Sequence, residues 1–134
     1  MGFITPAWAV YGSFGYLDAI VDSQNPLNDG KRMTLTPEYS GSLWTTYTLP
    51  HDIRVGGGVR YTDAVFVNAA NTLRAPGNTL VDALVEAPVH RRLILRLNVT
   101  NLTNEVYVRN VNNNGGRYNP GNPRAFLLST VFRF

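Results

Sequence analysis

The sequence predicts an all-β protein, an antiparallel up-and-down β-barrel that crosses a membrane with its strands. Three observations carry that prediction. Period-two alternation recurs in segments near the 9 to 11 residues that cross a bilayer at a tilt of about 45°. The links between them alternate strictly between long and short, as in barrels with tight turns on one side and long loops on the other. Only 16% of the residues are charged, against about a quarter in soluble domains. No apolar run approaches the ~20 residues of a spanning helix, and no stretch shows a capped helical period.

Taken in order, WAVYGSFGYLDA at 8–19 is apolar on both faces, and so ambiguous in orientation. SLWTTYTL at 42–49 sets Leu43, Thr45, Tyr47 and Leu49 against Ser42, Trp44, Thr46 and Thr48. IRVGGGVRYT at 53–62 puts Ile53, Val55, Val59 and Tyr61 opposite Arg54, Arg60 and Thr62, with three glycines that weaken an isolated strand. TLVDALVEA at 79–87 opposes Val81, Ala83, Val85 and Ala87 to Asp82, Leu84 and Glu86. RRLILRLNVTN at 91–101 is the clearest: Leu93, Leu95, Leu97 and Val99 share one face, Ile94, Arg96, Asn98 and Thr100 the other. The closing segment, 124–134, turns Phe126, Leu128, Thr130, Phe132 and Phe134 one way and Leu127, Ser129, Val131 and Arg133 the other. Tight links fall at 50–52 and 88–90; long polar ones at 21–37, 63–78 and 102–123. Hydrocarbon accounts for the faces, because lipid-facing side chains must be apolar while the inner wall meets water or protein.

Charge and parity together suggest registers. A tight turn at Pro88 to His90 places Glu86 opposite Arg92 and Asp82 opposite Arg96, two ion pairs on the inner face, each worth roughly 0.2–1 kcal/mol. A slip by one residue turns Arg96 and Asp82 toward lipid, where a midplane arginine costs about 2–4 kcal/mol. In the preceding hairpin Trp44 falls opposite Gly58, so that the indole covers the missing side chain.

These residues carry a family resemblance. LRLNVTNLTNEVYV, a long Asn/Gly loop and GNPRAFLLSTVFRF resemble the C-terminal end of TonB-dependent outer-membrane receptors, with its N-L-x-(D/N)-(K/E)-x-Y element and a final P-R-x-(F/V) strand ending in Phe. Here the element is Asn101, Leu102, Asn104, Glu105 and Tyr107, and the last strand opens with Pro123, Arg124 and Phe126. Upstream, TPEYSGSLWTTYTL, GGGVRYTD and PGNTLVDALVEAPV are similar to preceding strands of that family. The S-L-W-T-x-Y and P-G-x-T-x-V-D strands look most like ferric-siderophore receptors of hydroxamate type.

The resemblance implies a 22-stranded barrel around an N-terminal plug, of which residues 1–134 are about the last six strands: a fragment with the plug absent. It implies a location in the outer membrane of Gram-negative type, and uptake of a ferric siderophore as transported ligand, with no cofactor. Its implied partners are outer-membrane lipid, the remaining strands and plug, the TonB complex and the barrel-assembly machinery. Phe126, Leu128, Phe132 and Phe134 are then the assembly signal. The implied ligand contacts are Tyr107, Arg109, Arg117 and Tyr118 on the long loops, with Arg60 and Trp44 on the wall; arginines suit anionic chelates and aromatics suit chelate faces.

Other classes find little support. Without cysteine there are no disulfides or thiolate sites. His51 and His90 sit in separate turns, and no metal site is expected. No nucleophile, base and acid share a supporting spacing, so an enzyme is not expected, and a charge of +3 without a basic run argues against nucleic acid. Two alternatives stand beside the receptor: a small outer-membrane or pore-forming protein that oligomerises to complete a barrel, and a soluble lipocalin-like binder. The second needs an apolar inner face, against which stand Arg54, Arg60, Asp82, Glu86 and Arg96.

Overall fold

The computed structural model describes residues 2–112 and 115–132. They form one antiparallel meander of seven strands in chain order: β1 (Gly2–Thr5), β2 (Trp8–Tyr16), β3 (Tyr39–Thr48), β4 (Arg54–Thr62), β7 (Asn78–His90), β8 (Leu93–Thr100) and β11 (Ala125–Phe132). Two small hairpins decorate the loops: β5 (Val65–Phe66) with β6 (Arg74–Ala75), and β9 (Val108–Val111) with β10 (Tyr118–Pro120). The link between β3 and β4 is a single 3₁₀ turn, Pro50–Asp52, in which His51 and Asp52 adopt left-handed φ of 64° and 58°.

Where six strands were expected the sheet has seven. GFIT is too short to show a period, and it returns to β2 through a turn at Pro6 and Ala7. The face assignments agree with the alternation. Pairing carries Trp8 to Tyr47 and Val10 to Thr45. It continues from Thr45 to Gly57, Gly57 to Ala83, Ala83 to Val99 and Val99 to Phe126, all on one face. The opposite face holds Ser42, Arg60, Leu80 and the other even positions of β3, β4, β7 and β8.

Among the described residues no second layer covers either face. Among the described residues the buried hydrophobics are Ala9, Val67, Leu80 and Val99, while Phe126, Leu128 and Phe132 are each more than 60% exposed. A water-soluble domain of this length needs a common core between layers; a single wall with apolar residues outward needs hydrocarbon instead. The outward aromatics also segregate by height. Trp8, Tyr47 and Phe132 stand at the tight-turn ends of their strands, and Phe14, Tyr16, Tyr39, Tyr61 and Phe126 at the long-loop ends. Eight steps from Tyr39 to Tyr47, at about 3.3 Å each and a tilt near 40°, separate the belts by about 20 Å, near the height of an outer-membrane apolar band. Rings of Phe14 and Tyr16 pack on Tyr39 with centroids 6.3 and 5.1 Å apart.

One register differs from expectation. β7 runs on to His90 and the turn is Arg91 and Arg92, so Glu86 faces Arg96, not Arg92. Asp82 correspondingly does not face Arg96. The displacement is four residues, an even number, so every side chain keeps its face and the cost that excludes odd slips is not incurred. Pro88 is accommodated within the strand beside an irregularity in pairing, and the two arginines take the exposed turn. In the other hairpin Trp44 does face Gly58, and a Cβ added there would collide with the indole.

Candidate ligand-facing wall and loop rim

The inner wall is a ladder of ion pairs set by strand register. Near the tight turns Glu86, 9% exposed, accepts from Arg96 Nε at 2.7 Å and Nη2 at 2.5 Å, with Arg54 Nη1 at 3.7 Å on its other side. Higher up, Asp82 Oδ2 accepts from Arg60 Nε at 3.0 Å and Nη2 at 2.8 Å. The pairs expected from sequence, Glu86 with Arg92 and Asp82 with Arg96, are thus replaced: β4, neighbour of β7 on its other side, supplies Arg60 and Arg54. Three arginines and two carboxylates leave this part of the wall with one excess positive charge.

Of the six expected ligand contacts, three come together. Arg60, Tyr107 and Arg109 line a depression of about 650 Å³ at the long-loop end of the inner face, with Ser42, Thr62 and Asn78. Trp44 lies in a different one, about 530 Å³, nearer the tight turns beside Phe3, Tyr11, Arg54 and Leu84. Arg117 and Tyr118 belong to the β9–β10 hairpin and line neither; Arg117 N donates to Asn112 Oδ1 at 2.7 Å, and Tyr118 is 67% exposed. Arg60 is committed to Asp82, whereas no acid pairs with Arg109 among the described residues. Of the expected assembly signal, Phe126, Leu128 and Phe132 face outward on β11; Phe134 lies outside the described residues.

The structure gives the Asn101 to Tyr107 element an anchoring role that sequence reading missed. Asn101, 3% exposed with φ 51°, donates from Nδ2 to the carbonyls of Glu105 (2.9 Å) and Asn122 (3.0 Å). Its Oδ1 accepts from Glu105 N at 2.8 Å, and its own N–H donates to Asp82 Oδ1 at 2.9 Å. Asn104, φ 55°, accepts from Arg124 N at 3.0 Å. Both ends of the 101–124 loop are thereby knotted to the top of the wall. Two asparagines three apart after a strand were the available signal, since Asn tolerates left-handed backbone better than other side chains. Tyr107 is held in turn by Gly121, whose N–H donates to the Tyr107 carbonyl at 2.7 Å and whose missing side chain makes room for the ring. On the 17–38 loop, Arg32 Nη2 donates to Glu38 Oε1 at 3.0 Å, and that hydrogen bond pushes the guanidinium pKa above its ordinary value.

A single twisted wall, apolar outside, ionic inside and crowned by three long loops, defines a segment of a transmembrane β-barrel. Residues 3–102 match the family model described as TonB dependent receptor-like, beta-barrel, and the chain belongs to that family of Gram-negative outer-membrane barrels. It is 36% identical over 139 aligned positions to the catecholate siderophore receptor Fiu of Escherichia coli K12, an alignment covering 99% of this chain and 18% of Fiu. It is 38% identical over 87 positions to the ferrioxamine receptor of Yersinia enterocolitica, covering 60% of this chain and 12% of that protein. The crystal structure of Fiu in its closed form superposes with a TM-score of 0.86 at 35% identity, over 99% of this chain and 20% of that one. PiuA, a siderophore receptor of Acinetobacter baumannii, gives 0.86 at 28% identity, over 98% and 20%. The chain therefore spans about a fifth of the length of these relatives.

Proposed function

We propose that these residues are the C-terminal part of the wall of an outer-membrane receptor that binds ferric siderophores and takes them up by TonB-dependent active transport. The observation that carries the proposal is the orientation of the single sheet, with the loops and the Arg60, Tyr107 and Arg109 depression gathered at one end of its ionic face. The matched relatives are receptors, not enzymes, and two are described by chelate classes, catecholate and ferrioxamine. Ferrioxamine is a hydroxamate chelate, so the hydroxamate expectation is kept as one of two chelate classes, beside catecholate. In this reading Arg109 and Tyr107 meet the chelate, and Arg60 and Asp82 stiffen the wall beneath it. The tight-turn half of the inner face packs on the plug, the TonB complex acts through the plug, and the assembly machinery reads Phe126, Leu128 and Phe132.

The test is uptake of radiolabelled iron, offered as a ferric tris-catecholate or as ferrioxamine B, by cells that depend on the receptor. Uptake of at least one chelate is expected, lost when either the receptor or TonB is deleted. Uptake of neither, or uptake indifferent to TonB, overturns the proposal.

A further inference from the structure

The most completely buried side chain among the described residues is Val67, 1% exposed, and it lies in a loop, not in the wall. Its N–H donates to the Leu73 carbonyl at 3.0 Å, closing the 63–77 loop on itself. Asn68 reinforces that closure, accepting through Oδ1 from Thr72 N at 3.0 Å and Leu73 N at 2.9 Å. From this body two ties reach the 17–38 loop. Asn71, half-buried with φ 56°, accepts from Arg32 N at 2.7 Å and donates Nδ2 to Arg32 O at 3.0 Å, so one carboxamide satisfies both backbone groups of a residue 39 positions away. Leu35 N donates to the Phe66 carbonyl at 2.8 Å. On its other side the 63–77 loop meets the 101–124 loop at Gly115, φ 71°, where a Cβ would stand 2.6 Å from Leu73 Cδ2 and 3.3 Å from Val67 Cγ2.

We infer that the three long loops form one preassembled rim with the 63–77 loop as its centre, and that Asn71 is a positioning residue for Arg109. Leu35, Val65, Pro76, Val108 and Val111, drawn from all three loops, enclose a crevice of about 230 Å³, and Arg109 lines both that crevice and the larger wall depression. Arg109, itself exposed, is therefore positioned through the β9 backbone that borders this crevice, and Asn71 and Val67 hold the crevice's other sides together. Displacing the 17–38 loop opens the crevice from one side and releases Arg109. Rigid, preorganised contacts bind more tightly because less freedom is lost on binding, so the cross-link raises affinity without touching the ligand.

This inference rests on the proposed ligand-binding reading for its functional consequence, but not for its mechanical one. The experiment therefore has two arms, both on the complete receptor carrying this chain. In the first, hydrogen exchange without ligand compares wild type with Asn71→Ala. Faster exchange is expected in both 28–38 and 107–112 with the wall strands unchanged; acceleration confined to 28–38, or none, overturns the single rim. In the second, a ferric tris-catecholate, or ferrioxamine B where wild type does not bind the first, is titrated into wild type, Asn71→Ala, Arg109→Ala and the double variant. Asn71→Ala is expected to weaken binding about tenfold in the wild-type background and less than about twofold when Arg109 is already absent, the signature of coupled residues. Equal losses in both backgrounds, or no loss in either, overturn the positioning role. A wild type that binds no ferric chelate fails the receptor reading instead, and leaves the exchange result to judge the rim.

Discussion

Neutralising Glu86 as Glu86→Gln perturbs the wall where it is most informative. The carboxylate accepts two hydrogen bonds from Arg96 at 2.5 and 2.7 Å and stands 3.7 Å from Arg54. Charge-assisted hydrogen bonds contribute about 1.5–3 kcal/mol each when shielded. Here the Glu86 side chain is 12% exposed but Arg96 and Arg54 are 43% and 50% exposed, so water recovers much of what the arginines lose. After that discount the expected loss is about 1–2 kcal/mol. Urea unfolding of the receptor in lipid vesicles, read as the shift in mobility of unheated samples on gels, measures it. Double-mutant cycles then locate the partner: Glu86→Gln with Arg96→Gln should couple by about 1 kcal/mol, and Glu86→Gln with Arg92→Gln should be additive within about 0.5 kcal/mol. Coupling to Arg92 with additivity at Arg96 refutes the register and restores a turn at residues 88–90.

Two further predictions concern the glycines of β4 and the loop anchor. Gly58→Ala should destabilise the receptor by about 1–3 kcal/mol through overpacking, because its Cβ would stand 2.8 Å from the Leu43 carbonyl and run into Trp44. Gly57→Ala should cost clearly less, with 3.6 Å to the Asp82 carbonyl; equal unfolding midpoints for the two argue against an indole lying over Gly58. Asn101→Ala removes three side-chain hydrogen bonds and leaves Ala at φ 51°, an expected local loss of about 2–4 kcal/mol. Limited proteolysis should then cut within residues 102–123 while sparing the strands of the wall, and an unchanged digestion pattern counts against the anchor.

What the sequence made legible was parity. Leu93, Leu95, Leu97 and Val99 alternate with Arg96 and Asn98, and a sheet against hydrocarbon converts that alternation into faces. Even displacements leave parity untouched, so charge matching on one hairpin could not choose between Arg92 and Arg96 for Glu86. The missing information lay in the other neighbour, β4, whose Arg54 and Arg60 compete for the same carboxylates. The strands β1, β5, β6, β9 and β10 span two to four residues each, too few for a period to register. At the site, Arg109 and Tyr107 were legible as an arginine and an aromatic on a long loop. Asn71 and Gly121 were not, because their roles are hydrogen bonds and a ring clearance to residues far away in sequence, and Asn101 was legible only as an asparagine suited to left-handed backbone, not as the tie to Asn122.

The face assignment is tested most directly by a nitroxide scan through residues 92–100 in bilayers, with oxygen as the lipid-soluble relaxer and a nickel chelate as the aqueous one. Positions 93, 95, 97 and 99 should respond to oxygen and positions 94, 96, 98 and 100 should not. Equal response at both parities would contradict a sheet with one side in hydrocarbon.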